Sequence, residues 1–427
     1  MTRFQYAVVA SVLHDERSKQ TLLDSFRAAL AAQGGEAYSL GGEKLAARVS
    51  ELPLFLFVLT GGTEADAMRV ISEERMVERG IPVVLLAHAS HNSLPASLEI
   101  LARVRQLGGG GTIAQAGIDR NFDAEALSDI VAATATIQAM RAVRVGVVGK
   151  PSDWLIASSQ GKEEARAAWG AQLVEVPFEE LVTEIEKLRS ADADWESRIA
   201  ADMRARAEFF REANDTDMRK SMDILQALRT IVRRYALNAL TLRCFDLVLH
   251  DGSTGCLALS ALADEGIDAG CEGDIPSILG LHWLHLLTGE IGWMANPSRI
   301  AVAPDRSGAE LTIAHCTSPR SILSSYGLRS HFESGLGVAI AGTIPSGAVT
   351  LARIGGTRLD RVWYSQADVI ASPRQEGLCR TQAEIAIPVE KAEELLSAPL
   401  GNHLVMVRGE WGARIEGYMR LAGTLTH

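Results

Sequence analysis

The sequence feature that most constrains the fold is an alternation of continuous apolar runs with stretches of helical spacing. Leu54–Leu59 is apolar throughout, as a strand buried on both faces must be, and it stops at the Thr-Gly-Gly-Thr turn of residues 60–63. Helical spacing follows over Glu64–Arg79, and Pro82–Ala87 is the next apolar run. Because strand–helix–strand units build parallel sheets, the pattern predicts an open α/β sheet.

The alternation continues on both sides of this unit. In the first part of the chain the other predicted segments are a strand and two helices, namely Tyr6–Val12, Leu22–Gln33 and Leu94–Leu107. A second series has predicted strands at Val143–Val148, Leu173–Val176, Leu242–Leu249 and Ile267–Cys271. Its predicted helices are Glu163–Trp169, 178–190, 194–235 with a break near Asn214-Asp215, and Leu257–Glu265. A second parallel sheet is therefore expected.

After Gly289 strands dominate, and turns rich in Gly, Pro and Ser separate them, which is typical of an antiparallel sheet or barrel. The predicted segments are six strands and a closing helix: Ile300–Ala303, Leu311–Cys316, Gly337–Ile344, Val349–Ile354, Arg361–Ser365, Gln382–Val389 and Trp411–Ala422. We therefore predict an α/β fold class with two Rossmann-like parallel-sheet domains, residues 1–142 and 143–275. A β-rich, barrel-like C-terminal domain, residues 276–427, would follow them.

Composition argues against several classes of partner. The 427 residues are 47% hydrophobic and 22% charged, as in a soluble globular protein, and the longest apolar stretches fall short of a membrane span. A formal net charge of −11 argues against a nucleic-acid or anionic-membrane partner. The first residues lack a signal-peptide pattern, and five cysteines without CxxC spacing indicate reduced thiols, so we expect a cytoplasmic protein.

Two carboxylates, Glu272 and Asp274, lie two residues apart in AGCEGDIPSILG, directly before an apolar helical pattern. Asp274 suits the N-cap of that helix, with Pro276 in its first turn and Gly289 at its end. That interpretation leaves Glu272 unexplained, because a carboxylate after a buried strand needs exposure or a partner. Ligands bind at the carboxyl ends of strands in α/β sheets, so a metal or acid–base site is the alternative, and Asp274 can serve both.

Further residues with suitable chemistry occur on either side of this stretch. Asp246 lies in the apolar run RCFDLVL, His315 in LTIAHCTSP and His403 in GNHLVMVRG. Carboxylate oxygens and imidazole nitrogens suit Mn²⁺, and also Mg²⁺, Co²⁺ or Fe²⁺, whereas no cysteine pattern supports a structural zinc. A lone histidine in such a segment is more often structural than a ligand, so spacing alone leaves both interpretations open.

From about Arg243 to Gly423 the chain resembles the L-fucose isomerase and L-arabinose isomerase superfamily. The resemblance is carried by RCFDLVL, AGCEGDIPSILGLHWLHLLTG, LTIAHCTSP, HFESGLGVAIAG and GNHLVMVRGEWGARIEGYMRLAG, in this order and spacing. The N-terminal half matches mainly in architecture. The resemblance implies a metal-dependent aldose–ketose isomerase with two Rossmann-like domains, a β-rich third domain and a trimeric or hexameric assembly.

The resemblance also implies which residues do the chemistry. By position, Asp246 and Asp274 are the catalytic carboxylates and metal ligands, and His403 and His315 complete the metal shell. The family's first acid is commonly Glu, so Asp246 departs from the pattern and has a shorter reach. The active site would lie between the second and third domains. A neighbouring subunit would contribute from its first domain, which would serve substrate recognition and oligomer contacts.

Five residues are candidates for binding a sugar. Trp154 follows the first strand of the second domain, at a ligand-binding edge, where it could stack on a sugar or pack at a domain seam. His331 and Glu333 form a pair at a strand end that could bind the sugar or be solvated. His14 follows the first strand of the chain and could reach a neighbouring subunit's site. Glu272 could bind a sugar hydroxyl or support the metal ligands.

These expectations combine into one functional hypothesis with two alternatives. We expect a ketol isomerase that holds Mn²⁺, with Mg²⁺ or Co²⁺ as alternatives, and acts on a free or C6-modified monosaccharide through a cis-enediolate. The sulfosugar sulfoquinovose is one candidate substrate, because isomerases for it resemble this superfamily. The alternatives are an epimerase or lyase on the same chemistry, or a sugar-binding sensor without catalysis. A homotrimer or homohexamer with sites shared between subunits is expected.

Overall fold

The computed structural model of the chain describes residues 3–38, 52–190 and 196–423. These residues form two compact units. The first comprises the described residues of Met1–Ala139 and Ala413–Leu425, and the second comprises those of residues 140–412. The predicted domain boundaries at residues 142 and 275 stay predictions. No helix among the described residues is both long enough and apolar enough to cross a membrane.

The first unit contains a five-stranded parallel sheet with the strand order β2-β1-β3-β4-β5. Its strands are β1 Phe4–Val9, β2 Gly35–Tyr38, β3 Leu54–Val58, β4 Val83–Ala87 and β5 Gly111–Gln115. The helices that follow these strands in sequence are α1 Glu16–Ala32, α2 Glu64–Glu73, α3 Ser93–Gln106 and α4 Ala124–Met140. All five residues of β3 and of β4 are buried, which is why these strands are apolar throughout.

The second unit begins with a four-stranded parallel sheet of order β7-β6-β8-β9. Its strands are β6 Arg144–Val148, β7 Gln172–Val176, β8 Ala239–Leu242 and β9 Asp268–Cys271. The accompanying helices are α5 Lys162–Trp169, α6 Phe178–Ser190, α7 Glu196–Arg206, α8 Asp215–Tyr235, α9 Cys244–Asp251, α10 Cys256–Asp264 and α11 Ile275–Thr288. The predicted break near residue 214 is confirmed, because Asn214 caps α8 by accepting hydrogen bonds from two backbone N–H groups.

The predicted strand over Leu242–Leu249 is wrong. Only Leu242 belongs to a strand, β8, and the apolar run that follows forms helix α9. Cys244 and Leu247 are its buried residues, and their spacing of three places them on one helical face. Asp246 therefore lies in the first turn of a helix, where the helix dipole favours a carboxylate, and not in a strand.

The rest of the second unit is an antiparallel barrel, as predicted. Its strands are β10 Trp293–Val302, β11 Ala309–His315, β12 Ser325–Arg329, β13 Ala339–Thr343, β14 Gly347–Gly355, β15 Arg361–Ala371, β16 Thr381–Ile387 and β17 Leu404–Arg408. Six of them close in the order β11-β10-β17-β14-β15-β16, because β11 also pairs with β16. The β12–β13 hairpin joins at β16. Helix α12, Val389–Ser397, connects β16 to β17. The last helix, α13 Gly412–Ala422, belongs to the first unit from Ala413 onward.

A buried carboxylate ties α11 to the edge of the second sheet. Asp268 on β9 is 3% exposed and lies 2.8 Å from Nδ1 of His282 and 3.0 Å from Nδ1 of His285, both on α11. Burial raises the pKa of Asp268, but the two histidines outweigh burial and hold its pKa below the ordinary value. The hydrogen bond with Asp268 raises the pKa of His285. The charged Asp268 carboxylate thus has partners for its buried oxygens.

Asp268→Asn should lower the free energy of unfolding by about 2–4 kcal/mol, because it leaves the histidines without their anionic partner. The contribution of Asp268 to the free energy of unfolding is lost as pH falls through the lowered pKa of this residue. The contribution of His285 is lost as pH rises through its raised pKa. The penalty should therefore be largest between about pH 4 and pH 6.5, the ordinary values of the two groups. Urea unfolding at several pH values measures it. Exposed Asp368→Asn is the control, and an equal penalty there contradicts the role of Asp268.

Candidate metal centre

Three side chains from separate segments of the second unit meet at one end of the barrel. Glu272 directly follows β9, His315 is the last residue of β11, and His403 directly precedes β17. One potential ligand atom of each lies within 4.8 Å of those of the other two. We call these three residues the triad. It could hold a metal ion, because it offers one carboxylate oxygen and two imidazole nitrogens in a buried setting.

Strand register explains why the two histidines are neighbours. β10 lies between β11 and β17 in the barrel, and it pairs Asn296 with Ala314 on one side and Ala295 with Leu404 on the other. His315 and His403 therefore flank the same point of β10, although 88 positions separate them in the sequence. Their ring centres are 5.6 Å apart, and both are almost fully buried.

The backbone aims Glu272 into the site. Glu272 has a φ of +64°, a left-handed conformation that costs a residue with a side chain roughly 1–2 kcal/mol. Trp154 Nε1 donates to Glu272 Oε2 at 2.7 Å, and the Ser152 N–H donates to the Glu272 carbonyl at 2.8 Å. Gly273 also has a positive φ of 72°, and a Cβ there would come within 2.5 Å of the Lys150 carbonyl oxygen. This tight loop requires glycine at 273 and holds the Glu272 carboxylate in place.

Asp274 lies behind the triad and is fully buried. Its side chain caps α11 by accepting a hydrogen bond from the Ser277 N–H at 2.8 Å, which confirms the N-cap prediction. Its Oδ2 lies 2.8 Å from His403 Nδ1 and 3.1 Å from Arg353 Nη1. Burial raises the pKa of Asp274, but Arg353 and His403 outweigh it and hold this pKa well below its ordinary range. Asp274 is therefore a charged acceptor that fixes the orientation of the His403 ring.

Arg353, on β14, is the positive partner in this buried network. It is 2% exposed, and its guanidinium also donates to the hydroxyls of Ser277 at 2.5 Å and Ser158 at 2.6 Å. A Cβ on residue 401 would lie 2.3 Å from Arg353 Nη2, so Gly401 gives the guanidinium its space. The sequence GNH thus places a required glycine two residues before His403.

The two histidines differ in electrostatic environment. Burial lowers the pKa of His403, but Asp274 and Glu272 outweigh burial and raise it to about 9. Burial, together with the charge of His403, lowers the pKa of His315 to about 4. His315 Nδ1 accepts from the Thr317 N–H at 3.4 Å and lies 2.8 Å from Thr317 Oγ1, so Thr317 occupies this ring nitrogen. His315 can therefore present an uncharged nitrogen to a ligand.

An orphaned nitrogen supports a cation at this position. His403 Nε2 is buried and has no hydrogen-bond partner among the described residues. Glu272 Oε1 lies 3.5 Å away, which is too long for a good hydrogen bond but allows both atoms to approach one ion. A buried nitrogen without a partner is costly, and a metal ion that displaces the Nε2 proton would satisfy it. The donor set of the triad fits a divalent transition metal.

The triad borders a cavity of about 190 Å³, which we call the triad cavity. Glu272 and His315 line it, together with polar side chains at Asn296, Ser298 and Glu333. All five cysteines of the chain also line it, namely Cys244, Cys256, Cys271, Cys316 and Cys379. They are free thiols with small, weakly polar side chains. The strongly polar groups of the cavity wall therefore come from a few other residues.

The structure brings some of the other predicted residues to this cavity. His331 and Glu333 line it, and the His331 ring is buried with its centre 5.7 Å from that of Phe245. Trp154 is half exposed, and it reaches the site through its hydrogen bond to Glu272. Their predicted roles in substrate binding stay predictions.

Two predicted residues lie elsewhere. Asp246 accepts a hydrogen bond from Arg243 Nε at 2.9 Å and lines a different cavity of about 910 Å³, so the structure does not bring it to the triad. His14 belongs to the first unit, where its ring centre lies 5.8 Å from that of His91. The catalytic and metal roles of Asp246, and the substrate role of His14, stay predictions.

Sequence reasoning underestimated two residues. It treated Glu272 as a sugar-binding or supporting residue, whereas the structure places Glu272 in the triad. It gave Arg353 no place in the site, whereas Arg353 is a buried partner of Asp274. The signal for Arg353 was its place in VTLARIGG, because a charged residue within a buried strand needs a buried countercharge.

Comparisons with known proteins point to one enzyme name. No protein-family model matches the chain. A stretch of 155 residues is 25% identical to the sulfoquinovose isomerases of Priestia aryabhattai and Priestia megaterium, and it covers 36% of this chain. This stretch spans only 34% of the length of these two relatives. The sulfoquinovose isomerase of Alkalicoccus urumqiensis is 21% identical over 306 residues, which cover 70% of this chain and 67% of that protein.

Asp274→Asn should lower the free energy of unfolding by about 3–5 kcal/mol, because it leaves Arg353 buried without a countercharge. Arg353→Met should also destabilise the protein, and the double variant should lose less than the sum of the two single losses. Urea unfolding of the four proteins measures this coupling. The control combines Asp368→Asn with Arg361→Met, which change two exposed positions on β15. Their effects on the free energy of unfolding should be additive. Additive losses at Asp274 and Arg353 would show that the two side chains do not depend on each other.

Proposed function

We propose that this protein is a metal-dependent aldose–ketose isomerase that acts on a monosaccharide or a C6-modified, sulfonated sugar through a cis-enediolate. The observation that carries the proposal is the triad, in which an unpartnered His403 Nε2 and the Glu272 carboxylate converge beside a polar cavity. The relatives support the reaction class, because all three are named sulfoquinovose isomerases. The preferred metal in this proposal is Mn²⁺, with Mg²⁺ or Co²⁺ as alternatives.

The chain's own residues prepare the site for a sugar's C1 and C2 oxygens. A divalent ion in the triad would polarise the carbonyl and stabilise the negative charge that develops on the two oxygens. Asp274 holds His403 through Nδ1, so that Nε2 points toward Glu272. Trp154 holds the second oxygen of Glu272 and so limits the rotation of that carboxylate. These contacts fix the positions of the triad before a substrate arrives.

Isomerisation also needs a group that moves a proton between C1 and C2. Among the described residues, the carboxylates lining the triad cavity are Glu272 and Glu333. Glu272 is engaged by Trp154 and lies beside His403, whereas Glu333 is exposed on the cavity wall. We therefore assign the proton transfer to Glu333, with the neighbouring His331 as a hydroxyl partner. Asp274 would act as a positioning residue for His403, and Asp246 stays a candidate from the resemblance alone.

The assembly and compartment in this proposal follow the resemblance and the composition. We propose a homotrimer or homohexamer with shared sites, in the cytoplasm, with a sugar as its small-molecule partner. Sedimentation velocity of the purified full chain measures the assembly directly, and a monomer at micromolar concentration would contradict a shared site.

The activity is tested by incubating the purified protein with Mn²⁺ and a panel of aldoses in D₂O, including sulfoquinovose. NMR should show a ketose product with solvent deuterium at C1 or C2, because an enediolate exchanges its proton with water. Deuterium exchange without net ketose would favour the epimerase or lyase alternative. Sugar binding without exchange would favour the sensor and would refute the isomerase.

The metal site has a separate test that does not require turnover. Glu272→Gln should weaken Mn²⁺ binding at least about tenfold, because it removes a charged oxygen donor from the triad. Titration of metal-free protein followed by Mn²⁺ electron paramagnetic resonance measures the affinity. Glu310→Gln, an exposed change on β11, is the matched control. Equal affinity for the wild type and Glu272→Gln would exclude Glu272 as a ligand.

Glu333→Gln should lower kcat by a factor of about 10²–10⁴, the usual contribution of a general acid or base. Its Mn²⁺ affinity should stay unchanged, because Glu333 is outside the triad. Steady-state kinetics on the substrate identified above, with Glu310→Gln as the control, measures kcat. A variant with normal kcat and a raised KM would assign Glu333 to sugar binding alone.

A further inference from the structure

A second cavity, of about 300 Å³, lies beside the β12–β13 hairpin and carries an excess of positive charge. Four arginines and two glutamates line it, namely Arg211, Arg329, Arg374, Arg380, Glu212 and Glu376. We call it the arginine cavity. None of these residues belongs to the triad or takes part in the proposed reaction.

The backbone on one side of the arginine cavity is fixed. The segment between α7 and α8 runs along β12 and forms backbone hydrogen bonds with it. Glu208 N–H donates to the Tyr326 carbonyl at 2.8 Å, Leu328 N–H to the Phe209 carbonyl at 2.9 Å, and Arg211 N–H to the Leu328 carbonyl at 3.0 Å. The side chains of this segment are therefore presented from an ordered, strand-like edge.

One aromatic ring contacts two of the guanidinium groups. The guanidinium carbons of Arg211 and Arg374 lie 4.8 Å and 5.2 Å from the centre of the Phe209 ring. Phe209 packs directly over Gly327, where a Cβ would come within 2.2 Å of the ring. A guanidinium that stacks on a ring keeps its N–H donors at the rim, where they can bind a second group.

The carboxylates do not use all the guanidinium donors. Arg329 is saturated, because it donates to both Glu212 and Glu376, and these hydrogen bonds hold the pKa of each carboxyl below its ordinary value. The Arg380 side chain is 8% exposed. Its Nε donates to the Ser330 carbonyl at 2.9 Å, and its two carboxylate contacts are both 3.4 Å long. Among the described residues, the Arg211 guanidinium has no hydrogen-bond acceptor. Arg374 donates through Nη2 to Glu208 and Thr343. Donors from Arg211, from Nε and Nη1 of Arg374 and from the second N–H groups of the Arg380 terminal nitrogens therefore remain available to a ligand.

The arginine cavity lies on the opposite side of β16 from the triad. His315 pairs with Thr381 in the β11–β16 register. Because successive side chains of a strand point to opposite faces, Arg380 and Gln382 project away from the His315 side. The loop that precedes β16 contributes to both cavities. Its residues 375, 376 and 380 line the arginine cavity, and its residues 377–379 line the triad cavity.

We propose that the arginine cavity binds a small organic or inorganic oxyanion through a phosphate or sulfonate group. Planar guanidinium groups bind two oxygens of such an anion at once, and the anion would relieve the repulsion between the clustered arginines. The ligand would contact the shared loop of residues 375–380, and residues 377–379 of this loop form part of the wall of the triad cavity. The proposal does not rest on the isomerase activity.

Isothermal titration of the full-length protein with inorganic phosphate, and separately with methanesulfonate, tests the proposal at constant ionic strength. The wild type should bind at least one of the two. The double variant Arg211→Gln/Arg374→Gln should lower that affinity about tenfold or more, because it removes two charge-assisted donors. Arg361→Gln, which removes an exposed arginine outside the cavity, is the matched control and should bind normally. Thermal unfolding checks that the variants are folded.

The outcomes separate the alternatives. Binding of phosphate alone identifies a phosphate ligand, and binding of methanesulfonate identifies a sulfonate ligand. Either result supports the proposal when the double variant loses it and the control keeps it. The absence of binding to both anions would overturn the proposal, and so would an equal loss in Arg361→Gln. Neither titration depends on turnover, so failure here leaves the proposed isomerase activity to its own test.

Discussion

The buried ion pair between Asp274 and Arg353 connects the parts of the second unit that form the site. Asp274 begins helix α11 after the last strand of the parallel sheet, and Arg353 projects from β14 of the barrel. Two charges can be buried together only when their geometry and hydrogen bonds offset the lost hydration. Here the serine hydroxyls at 158 and 277, the α11 N-terminus and His403 supply the remaining contacts. The network therefore fixes the barrel against the sheet edge and sets the orientation of His403.

Around this pair, strand pairing in the barrel places the two histidines of the triad. β10 pairs with β11 on one side and with β17 on the other, and so brings the ends of β11 and β17 together, while the β11–β16 pairing closes the barrel. The carboxyl edge of the parallel sheet then supplies Glu272 through a short loop with two positive φ values. Ligand sites at the carboxyl ends of parallel strands are a general property of α/β folds. In this molecule the barrel rim completes that edge with two imidazoles.

Much of this fold could be predicted from the sequence, because continuous apolar runs identify strands buried on both faces. The parallel sheets and the antiparallel barrel are both confirmed. The failure at Leu242–Leu249 has a physical cause, since a short apolar run suits a buried helix as well as a buried strand. Strand β17, which positions His403, went unpredicted because its apolar residues continue directly from the GNH turn and lack a clear boundary. Its pairing with β10 and β14 depends on the tertiary structure, which hydrophobic periodicity does not predict.

The site was harder to predict, because its residues become neighbours only through strand pairing in the barrel. His315 and His403 could be named from the family order of segments, but their proximity depends on the register of β10. Asp246 was placed by position in the resemblance, but in the first turn of α9 its carboxylate accepts a hydrogen bond from Arg243. A buried arginine in a strand, such as Arg353, predicts a buried carboxylate partner. The sequence does not identify which carboxylate this is.

The short stretch CEGD also shows why the N-cap and metal interpretations do not compete. Residues two apart in an extended chain point to the same side, but the positive φ values at 272 and 273 turn the chain between Glu272 and Asp274. Asp274 reaches Nδ1 of His403 from behind, at 2.8 Å, and Glu272 approaches Nε2 from the cavity side, at 3.5 Å. One carboxylate thus orients the imidazole and the other faces its free nitrogen. A single imidazole between two carboxylates is the arrangement in which the rear acid makes the front nitrogen a better donor to a cation.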